Sequence, residues 1–220
     1  MSKVYFTSDL HFGHTNLCKN IREMSPEFSD HLLITNWNQT VSKRDIVYVL
    51  GDITMDNPHL YDILSKLNGT IYIIGGNHDG RKCCKKLQEL GITVLGCLDY
   101  KGFICTHIPI HPNEVKEYRG NIHGHIHKIY HGNPSTINEL GEDYYNVNCE
   151  LHNYTPVDVD QIIQYFNKRR ISKILQYLSD KGWSDLIDSR WKDDVIKEIK
   201  ENFPKVTDDV INEVLKLVLT

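Results

Sequence analysis

Short runs of β-branched and aromatic residues recur between residues 3 and 127, and each run ends in a cluster of polar residues. Near-continuous apolar runs of this length are typical of strands that are buried on both faces of a sheet. We therefore predict a strand at each run, with polar side chains collected where the strand ends. The runs are KVYFTS (3–8) before Asp9 and His11, DIVYVL (45–50) before Asp52, TIYIIGG (70–76) before Asn77, GFICT (102–106) before His107, and NIH (121–123) before His125 and His127.

Apolar residues with helical spacing lie between these runs, such as Leu33 and Trp37 before the second run and Leu60 and Leu64 before the third. Strands that alternate with helices indicate a layered α/β fold. Ligands of open α/β folds usually bind at the carboxyl ends of the strands, so we expect a site at one edge of the sheet.

The pattern changes towards the C-terminus. YYNVNCEL (144–151) predicts a late strand, and residues 153–166 predict a turn and a short helix that close the domain. Three helical stretches follow from about Asn167, and we therefore predict a first domain over residues 1–166 and a second over 167–220. The apolar faces of the three stretches contain Ile171, Ile174, Leu175 and Leu178, then Leu186, Ile187, Trp191, Val195, Ile196 and Ile199, and finally Val210, Ile211, Val214, Leu215 and Val218.

The predicted second domain is a small three-helix module. A segment of roughly 50 residues buries so little apolar surface that its stability alone is marginal. We expect it to pack against the first domain or another subunit, and to serve in oligomerisation, substrate delivery or partner binding.

Composition and charge narrow the classes of function. The chain is 40% hydrophobic and 25% charged, which is ordinary for a globular protein. Its formal charge of −4 provides no overall basic surface for wrapping nucleic acid, although a local basic groove stays open. The six cysteines form no CxxC pair, which argues against a zinc-finger site. No apolar run has the length of a signal peptide or of a membrane span, so we expect a cytoplasmic protein without a membrane partner.

The polar residues at the strand ends form a candidate metal-binding set. Asp9 and His11 are two residues apart, so their side chains point to one side of an extended chain. Carboxylates, imidazoles and a carboxamide without thiolates suit Mn²⁺, Fe, Zn²⁺ or Ni²⁺ better than Ca²⁺ or copper(I). An aspartate can bridge two such ions, and the pair would keep a positive charge that attracts a phosphoryl group.

Five blocks of the sequence resemble, in order and spacing, the calcineurin-like metallophosphoesterases. The resemblance covers residues 1–166, leaves the helical module unmatched, and is closest to a small single-domain subgroup from bacteria and phages. It implies an α/β fold in which a β-sandwich is flanked by helices. The blocks are DLH (9–11), GD (51–52), GNHD (76–79), His107 and GHIH (124–127), and the subgroup features are TSDLHFGHTN near the N-terminus and VNCELHNYTPV further on.

The resemblance also implies a role for each matching residue. His78 would be the catalytic residue, as a general acid or as a stabiliser of the transition state, and Asp79 would orient it. A metal-bridging hydroxide would be the in-line nucleophile. His123 has no metal role in the pattern, and we expect it to pack or to form hydrogen bonds. The implied ligands are Asp9, His11 and His127 for the first ion, Asn77, His107 and His125 for the second, and Asp52 between them.

Three residues near these blocks are candidate substrate contacts, and a structural role is an open alternative for each. His14 follows the first block and could contact the substrate phosphate. Arg81 follows GNHDG where a helix is predicted to begin, a position suited to phosphate. Arg22 is a weaker candidate of the same kind.

The function that this pattern favours is hydrolysis of a phosphodiester, in a nucleotide or at a nucleic-acid end, with two divalent ions and Mn²⁺ as the first choice. The small size of the domain predicts an open site, which favours diesters. One alternative is a phosphomonoesterase that acts on a nucleotide or phosphoprotein. Another is a non-catalytic scaffold that keeps the metal fold and works through its C-terminal helices.

The resemblance also implies a cytoplasmic protein of a bacterium, or of the host cytoplasm if the chain is phage-encoded. The helical module would carry a homodimer contact or a protein partner.

Overall fold

The computed structural model describes residues 2–54, 60–130, 133–134, 140–183 and 191–218. The chain forms two compact units, Met1–Gln161 and Ile162–Thr220. Leu186 and Ile187, from the second predicted helical stretch, lie outside the described residues.

Each of the five runs that predicted a strand contains one, and so does the run at 144–151. Five further strands, all of two or three residues, were not predicted: β4, β5, β8, β9 and β11 in the numbering below. The strands are β1 (Val4–Thr7), β2 (Ile46–Leu50), β3 (Thr70–Ile74), β4 (Thr93–Leu95), β5 (Leu98–Tyr100), β6 (Phe103–Cys105), β7 (Asn121–His123), β8 (Ile129–Tyr130), β9 (Asn133–Pro134), β10 (Tyr144–Asn146) and β11 (Val157–Asp158).

The strands form two main sheets. The first has the order β11-β1-β2-β3-β4, in which β1 to β4 are parallel and β11 is antiparallel to β1. The second has the order β10-β7-β6-β5, and only β5 is antiparallel to its neighbour. Strands β8 and β9 form a separate antiparallel pair. Since β1, β2, β6 and β7 are parallel within their sheets, neighbouring strands end at the same edge and bring the residues that follow them together.

Aromatic side chains connect the two sheets. Phe6 of β1 stacks on Tyr48 of β2 with ring centroids 5.2 Å apart. Tyr100 of the second sheet contacts both rings, at 5.4 Å from Phe6 and 5.8 Å from Tyr48. Successive side chains of a strand point to opposite faces, so Tyr5 and Val47 face the other way and join an apolar core that includes helical residues. The predicted β-sandwich flanked by helices is confirmed.

The helices of the first unit begin at recognisable signals. Ser25 caps the second helix by accepting from the amide of Phe28, and Pro26 occupies the first helical position. Leu33 and Trp37 of this helix are buried in the core, as their spacing predicted. The helices are α1 (Thr15–Leu17), followed by a π-helical turn at Cys18–Arg22, α2 (Pro26–Thr40), α3 (Leu60–Leu64), α4 (Arg81–Glu89) and α5 (Pro112–Val115), with a 3-10 turn at Cys149–His152.

The second unit is helical, as predicted, but its first helix begins earlier than expected. A single helix, α6, runs over Val159–Asp180, so the predicted short helix and the first helical stretch are one element. Neither Gly nor Pro occurs in this range to interrupt it. Helices α7 (Lys192–Asn202) and α8 (Asp208–Val218) follow. The buried core of the unit consists of Ile174, Leu178, Val195, Ile199, Val210, Ile211, Val214 and Leu215.

A helix needs about 20 consecutive, mostly apolar residues to span a bilayer. None of the helices in the described ranges is long and apolar enough to cross a membrane.

Candidate metal centre

The segments that follow β1, β2 and β7 hold candidate ligands in an uncommon backbone conformation. Asp9, His11, Asp52 and His125 have positive φ angles of 57°, 48°, 55° and 68°. Such angles are uncommon outside glycine and cost free energy, so they cluster at functional sites. These four are half of the eight non-glycine residues with positive φ in the described part of the chain.

Hydrogen bonds tie the three segments to one another. The amide of Asp9 donates to the carbonyl of Gly51 at 3.0 Å, and the amide of His11 donates to the carbonyl of Asp52 at 2.9 Å. The amide of His125 donates to Asp9 Oδ2 at 2.9 Å. Side chains carried on separate strands are therefore fixed at neighbouring positions.

The first cluster consists of Asp9, His11 and His127. One donor atom from each side chain lies within 4.8 Å of the others, which allows all three to reach one cation. His127 Nε2 is 3.7 Å from Asp9 Oδ1, and its ring is stacked on the His11 ring with centroids 5.3 Å apart. The structure brings together the three residues that the resemblance assigned to the first ion.

The second cluster consists of Asp52, His107 and His125, whose donor atoms lie within 4.8 Å of one another. His107 Nε2 is 3.3 Å from Asp52 Oδ2 and 2.8 Å from Asn77 Oδ1. Two ligand atoms bound to one cation at about 2.1 Å and at right angles lie about 3 Å apart. Asn77 is therefore placed to share a cation with His107 and Asp52.

Asp52 stands between the two clusters. Its Oδ2 atom is 3.3 Å from Nε2 of His107 in the second cluster and 3.6 Å from Nε2 of His11 in the first. A carboxylate with a donor atom of each cluster beside it can bridge two cations.

His11 provides the test of whether a cation fits these residues. The residue is buried, and neither Nδ1 nor Nε2 has a hydrogen-bond partner among the described residues. A buried polar atom without a partner costs free energy. Burial also lowers the pKa of His11 to about 2, so its ring is neutral and has a lone pair for a cation. The oxygen and nitrogen donors of both clusters suit Mn²⁺, Fe, Zn²⁺ or Ni²⁺.

The two aspartates differ in their electrostatic surroundings. Burial raises the pKa of Asp9 to about 6, against the opposing influence of His127 and His107. Burial would also raise the pKa of Asp52, but the hydrogen bond and charge of His107 outweigh it and lower the pKa to about 2. Asp52 is therefore the more strongly ionised carboxylate, as a bridging ligand needs to be.

Two glycines allow the backbone to approach the carboxylates. A Cβ atom at Gly124 would overlap Ser8 Oγ and lie 2.6 Å from Asp9 Oδ2, and one at Gly76 would overlap Asp52 Oδ1. Real Cβ atoms do not come this close to other atoms, so only glycine fits at either position. Gly124 and Gly76 thus let the backbone come close to the two carboxylates.

Asp79 is hydrogen-bonded to the backbone around a candidate ligand. Its Oδ2 atom accepts from the amides of Asp52 and Gly76 at 2.7 and 2.9 Å, and its Oδ1 atom accepts from the amide of Ile53 at 3.0 Å. The carboxylate therefore holds the backbone that carries Asp52, and its role in orienting His78 stays a prediction.

Arg22 differs from its prediction as a substrate contact. The residue is buried, and its side chain has no exposed surface. It ends the π-helical turn and points into the protein, a position that does not fit a substrate contact.

His78 and His14 lie at the open side of the first cluster. The amide of His78 donates to Asp52 Oδ1 at 2.8 Å, while the residue as a whole is exposed. The ring centroid of His78 is 5.3 Å from that of His11 and 6.4 Å from that of His14. His14 caps the start of α1, where its Nδ1 accepts from the amide of Leu17. Nε2 is therefore the ring nitrogen of His14 that is available for a ligand.

Arg81 and His123 occupy different surroundings. Arg81 is the exposed first residue of α4, and its role as a substrate contact stays a prediction. His123 is buried, and its Nδ1 donates to the carbonyl of Gly124 at 2.8 Å, which fits the expected structural role.

Sequence reasoning did not identify Glu150 or Ser8. Glu150 accepts from His127 Nδ1 at 3.0 Å, and Ser8 Oγ donates to Asp9 Oδ2 at 2.5 Å. Glu150 lies in the VNCELHNYTPV block, and the resemblance to the subgroup implies no role for it. A lone carboxylate near the end of a predicted strand was the available signal.

Comparisons with known proteins agree with this geometry. A family model described as calcineurin-like phosphoesterase matches residues 2–195. The match extends beyond residue 166, where the resemblance seen in the sequence ended, and so includes part of the helical unit.

Similar proteins are known from archaea and phages. The uncharacterized protein MJ1445 of Methanocaldococcus jannaschii is 32% identical over 190 residues, which cover 81% of this chain and 99% of that protein. The Gene 66 protein of Mycobacterium phage L5 is 40% identical over 86 residues, or 36% of this chain and 41% of that protein.

A solved structure also has a similar fold. The protein of unknown function AQ665 from Aquifex aeolicus superposes with a TM-score of 0.60 at 24% identity, over 74% of this chain and 99% of its own. The fold likeness, the two donor clusters and the family match over most of the sequence together show that the chain belongs to the calcineurin-like phosphoesterases, a family of metal-dependent hydrolases.

Proposed function

We propose that the protein hydrolyses phosphodiester bonds, in a nucleotide or at a nucleic-acid end, at a pair of divalent cations. The observation that carries the proposal is the position of Asp52, whose Oδ2 lies within 3.6 Å of a histidine nitrogen from each cluster. Two clusters that share a carboxylate in this way match the ligand arrangement of a two-cation site.

In this proposal, the residues of the two clusters bind two divalent cations, and Mn²⁺ is the favoured ion. A bound pair would supply positive charge for the phosphoryl group and would acidify a water molecule for attack. Asp9, His11 and His127 would hold one ion, Asn77, His107 and His125 the other, and Asp52 would contact both.

His78 would deliver the proton that the leaving oxygen needs. Its exposed ring lies beside His11 and its backbone is anchored to Asp52, so it faces the space in front of both clusters. When the phosphorus–oxygen bond breaks, the proton passes from the imidazole to the leaving oxygen, which departs as an alcohol. Exposed His78 and half-buried His14 would also contact the non-bridging oxygens.

The buried position of Arg22 favours a diester over a monoester. A monoester dianion is usually held by cationic side chains, especially arginine, whereas a diester has a single charge to neutralise. Arg22 is withdrawn into the protein, and the groups described beside the clusters on their open side are the imidazoles of His78 and His14. This arrangement suits the less charged substrate.

The test compares two chromogenic substrates. With Mn²⁺, we expect a higher kcat/KM for bis-p-nitrophenyl phosphate than for p-nitrophenyl phosphate, and no turnover of either by Asp52→Ala. A strong preference for the monoester would support the phosphomonoesterase instead. Undiminished turnover by Asp52→Ala would overturn the proposal.

We also propose that the second unit, Ile162–Thr220, mediates contact with a second copy of the chain. Its exposed apolar side chains, Trp191 at 45% and Leu217 at 53%, support this role. Sedimentation of the full chain should give the mass of a dimer at micromolar concentration. A monomer mass throughout the concentration range would exclude it.

A further inference from the structure

Arg22 is held by a complete set of acceptors. Its Nη2 atom donates to the carbonyl of Asp9 at 2.7 Å and to Cys149 Sγ at 3.4 Å. Its Nη1 atom donates to the carbonyl of Leu10 at 3.1 Å and to Ser29 Oγ at 2.9 Å. The fifth donor, Nε, reaches Glu150 Oε1 at 3.1 Å. A guanidinium has five N–H groups, so every one of them has a partner.

Two of these bonds act on the segment that carries the first two ligands. The carbonyls of Asp9 and Leu10 belong to the peptide groups that surround Leu10, between two residues with positive φ. A backbone in this conformation persists only where its surroundings hold it. Arg22 supplies that restraint from the last position of a π-helical turn, an irregularity that is frequent at functional sites.

Glu150 connects Arg22 to the third ligand of the same cluster. Its Oε1 atom accepts from His127 Nδ1 at 3.0 Å as well as from Arg22, and Oε2 accepts from the amide of Lys128 at 3.3 Å. The Glu150 side chain is only 3% exposed, so solvent does not compete for these bonds. A carboxylate can only accept here, so Nδ1 of His127 carries the hydrogen and Nε2 is free to face Asp9.

His107, the buried histidine of the second cluster, is supported by a neutral group. His107 Nδ1 is bonded to the carbonyl of Leu50 at 2.8 Å, a neutral acceptor. A carboxylate behind a ligand histidine both fixes the ring and makes it a better donor to a cation than a carbonyl does. His127 and His107 therefore differ in the groups that support them.

We propose that Arg22 and Glu150 form a buried brace that positions Asp9, His11 and His127, and thereby sets the cation affinity of the first cluster independently of the second. Neither residue contacts the reacting atoms, so both are positioning residues. The inference rests on the proposed function, because it presumes that cations bind at the two clusters.

In the experiment, the full-length, metal-free protein is titrated with Mn²⁺. Calorimetry and electron paramagnetic resonance of the bound ion monitor the titration. We expect wild type to bind two ions per chain. Glu150→Gln should bind one ion as wild type does and the other about 10- to 100-fold more weakly. Glu114→Gln, which changes an exposed acid on α5, is the matched control and should bind both ions as wild type does.

The comparison between the two ions separates positioning from a general loss of stability. Equal weakening of both ions in Glu150→Gln, or no weakening of either, would overturn the brace while leaving the proposed function intact. A wild-type protein that binds no Mn²⁺ would overturn both.

A second measurement avoids the risk that Glu150→Gln fails to fold. Long-range ¹H–¹⁵N correlation spectra of the metal-free wild type report which nitrogen of each neutral imidazole carries hydrogen. We expect His127 to be the Nδ1–H tautomer, with slow exchange of that hydrogen. An Nε2–H tautomer would contradict the role of Glu150.

Discussion

At the scale of single residues, the centre combines side chains that would bind cations with one exposed histidine that would not. His78 is anchored through its backbone, whereas its ring is exposed beside the ring of His11. In the proposed function, cation binding and proton transfer belong to different side chains, so substitutions can separate them.

Replacing His78 with Ala should lower kcat for the diester by roughly 10²- to 10⁴-fold, the usual contribution of a general acid. Binding of two Mn²⁺ ions should be unchanged, since the substitution leaves the backbone bond to Asp52 in place. Steady-state kinetics and equilibrium dialysis on the same preparation provide both numbers. Parallel loss of one ion and of activity would mean that His78 is a ligand.

Gly124→Ala should lower the free energy of unfolding by about 1–3 kcal/mol, because the added methyl group overlaps Ser8 Oγ and crowds Asp9. Gly96→Ala is the control, since a Cβ atom there meets nothing within 4 Å. Urea unfolding of both variants in EDTA measures the difference without a contribution from bound ions. Equal stability of the two variants would contradict the crowding.

The candidate ligands were the part of the centre that the sequence predicted best. Their residue types and their order along the chain can be recognised without a structure. The partners of Arg22 could not be predicted in this way. Glu150 is 128 positions away from it in the chain, and its carboxylate meets the guanidinium only after the fold brings them together. The contacts of Asp79 could not be predicted for a similar reason, since its carboxylate accepts from backbone amides of the segment after β2.

At the scale of elements, the observed strands that the sequence predicted are those within long apolar runs. Strands β4 and β5 have three residues each and are partly exposed, and β11 has two residues. None of the three is long enough to show a recognisable apolar pattern.

The backbone at the start of the first sheet is held by Asp45. Its Oδ1 accepts from the amide of Lys3 and its Oδ2 from the amide of Ser42, both at 2.8 Å.

These two bonds lower the pKa of Asp45 in the folded protein below its ordinary value of about 3.9. The unfolded chain then binds the proton more tightly, so this stabilisation is present above about pH 4 and is lost as pH falls through the folded pKa. We expect Asp45→Asn to melt below wild type at pH 7, with a gap that narrows towards pH 3. Scanning calorimetry in EDTA measures it, and a gap that stays constant with pH would contradict the linkage.

At the scale of the whole molecule, cations should couple the centre to stability. A ligand that binds only the folded state stabilises it by about 2.7 kcal/mol at 100 times its Kd. We expect Mn²⁺ to raise the melting temperature of wild type and to have little effect on Asp52→Ala, which lacks the carboxylate between the clusters. A similar rise in both proteins would mean that Mn²⁺ binds elsewhere.

The predicted boundary between the two domains stays a prediction. The compact units separate between Gln161 and Ile162, whereas the change in sequence pattern suggested a boundary after residue 166. A change of composition along the chain does not have to coincide with the end of a helix. Helix α6 continues past residue 166 because neither Gly nor Pro interrupts it. The three-helix character of the tail was accessible from apolar spacing alone.

The positive φ angles of Asp9, His11, Asp52 and His125 have a consequence for protein engineering. Glycine or asparagine would adopt the same backbone more cheaply, so selecting variants only for heat resistance without cations should favour such replacements. The resulting proteins would be hardier and inert. Thermostability screens of this enzyme therefore need turnover as a second criterion from the first round.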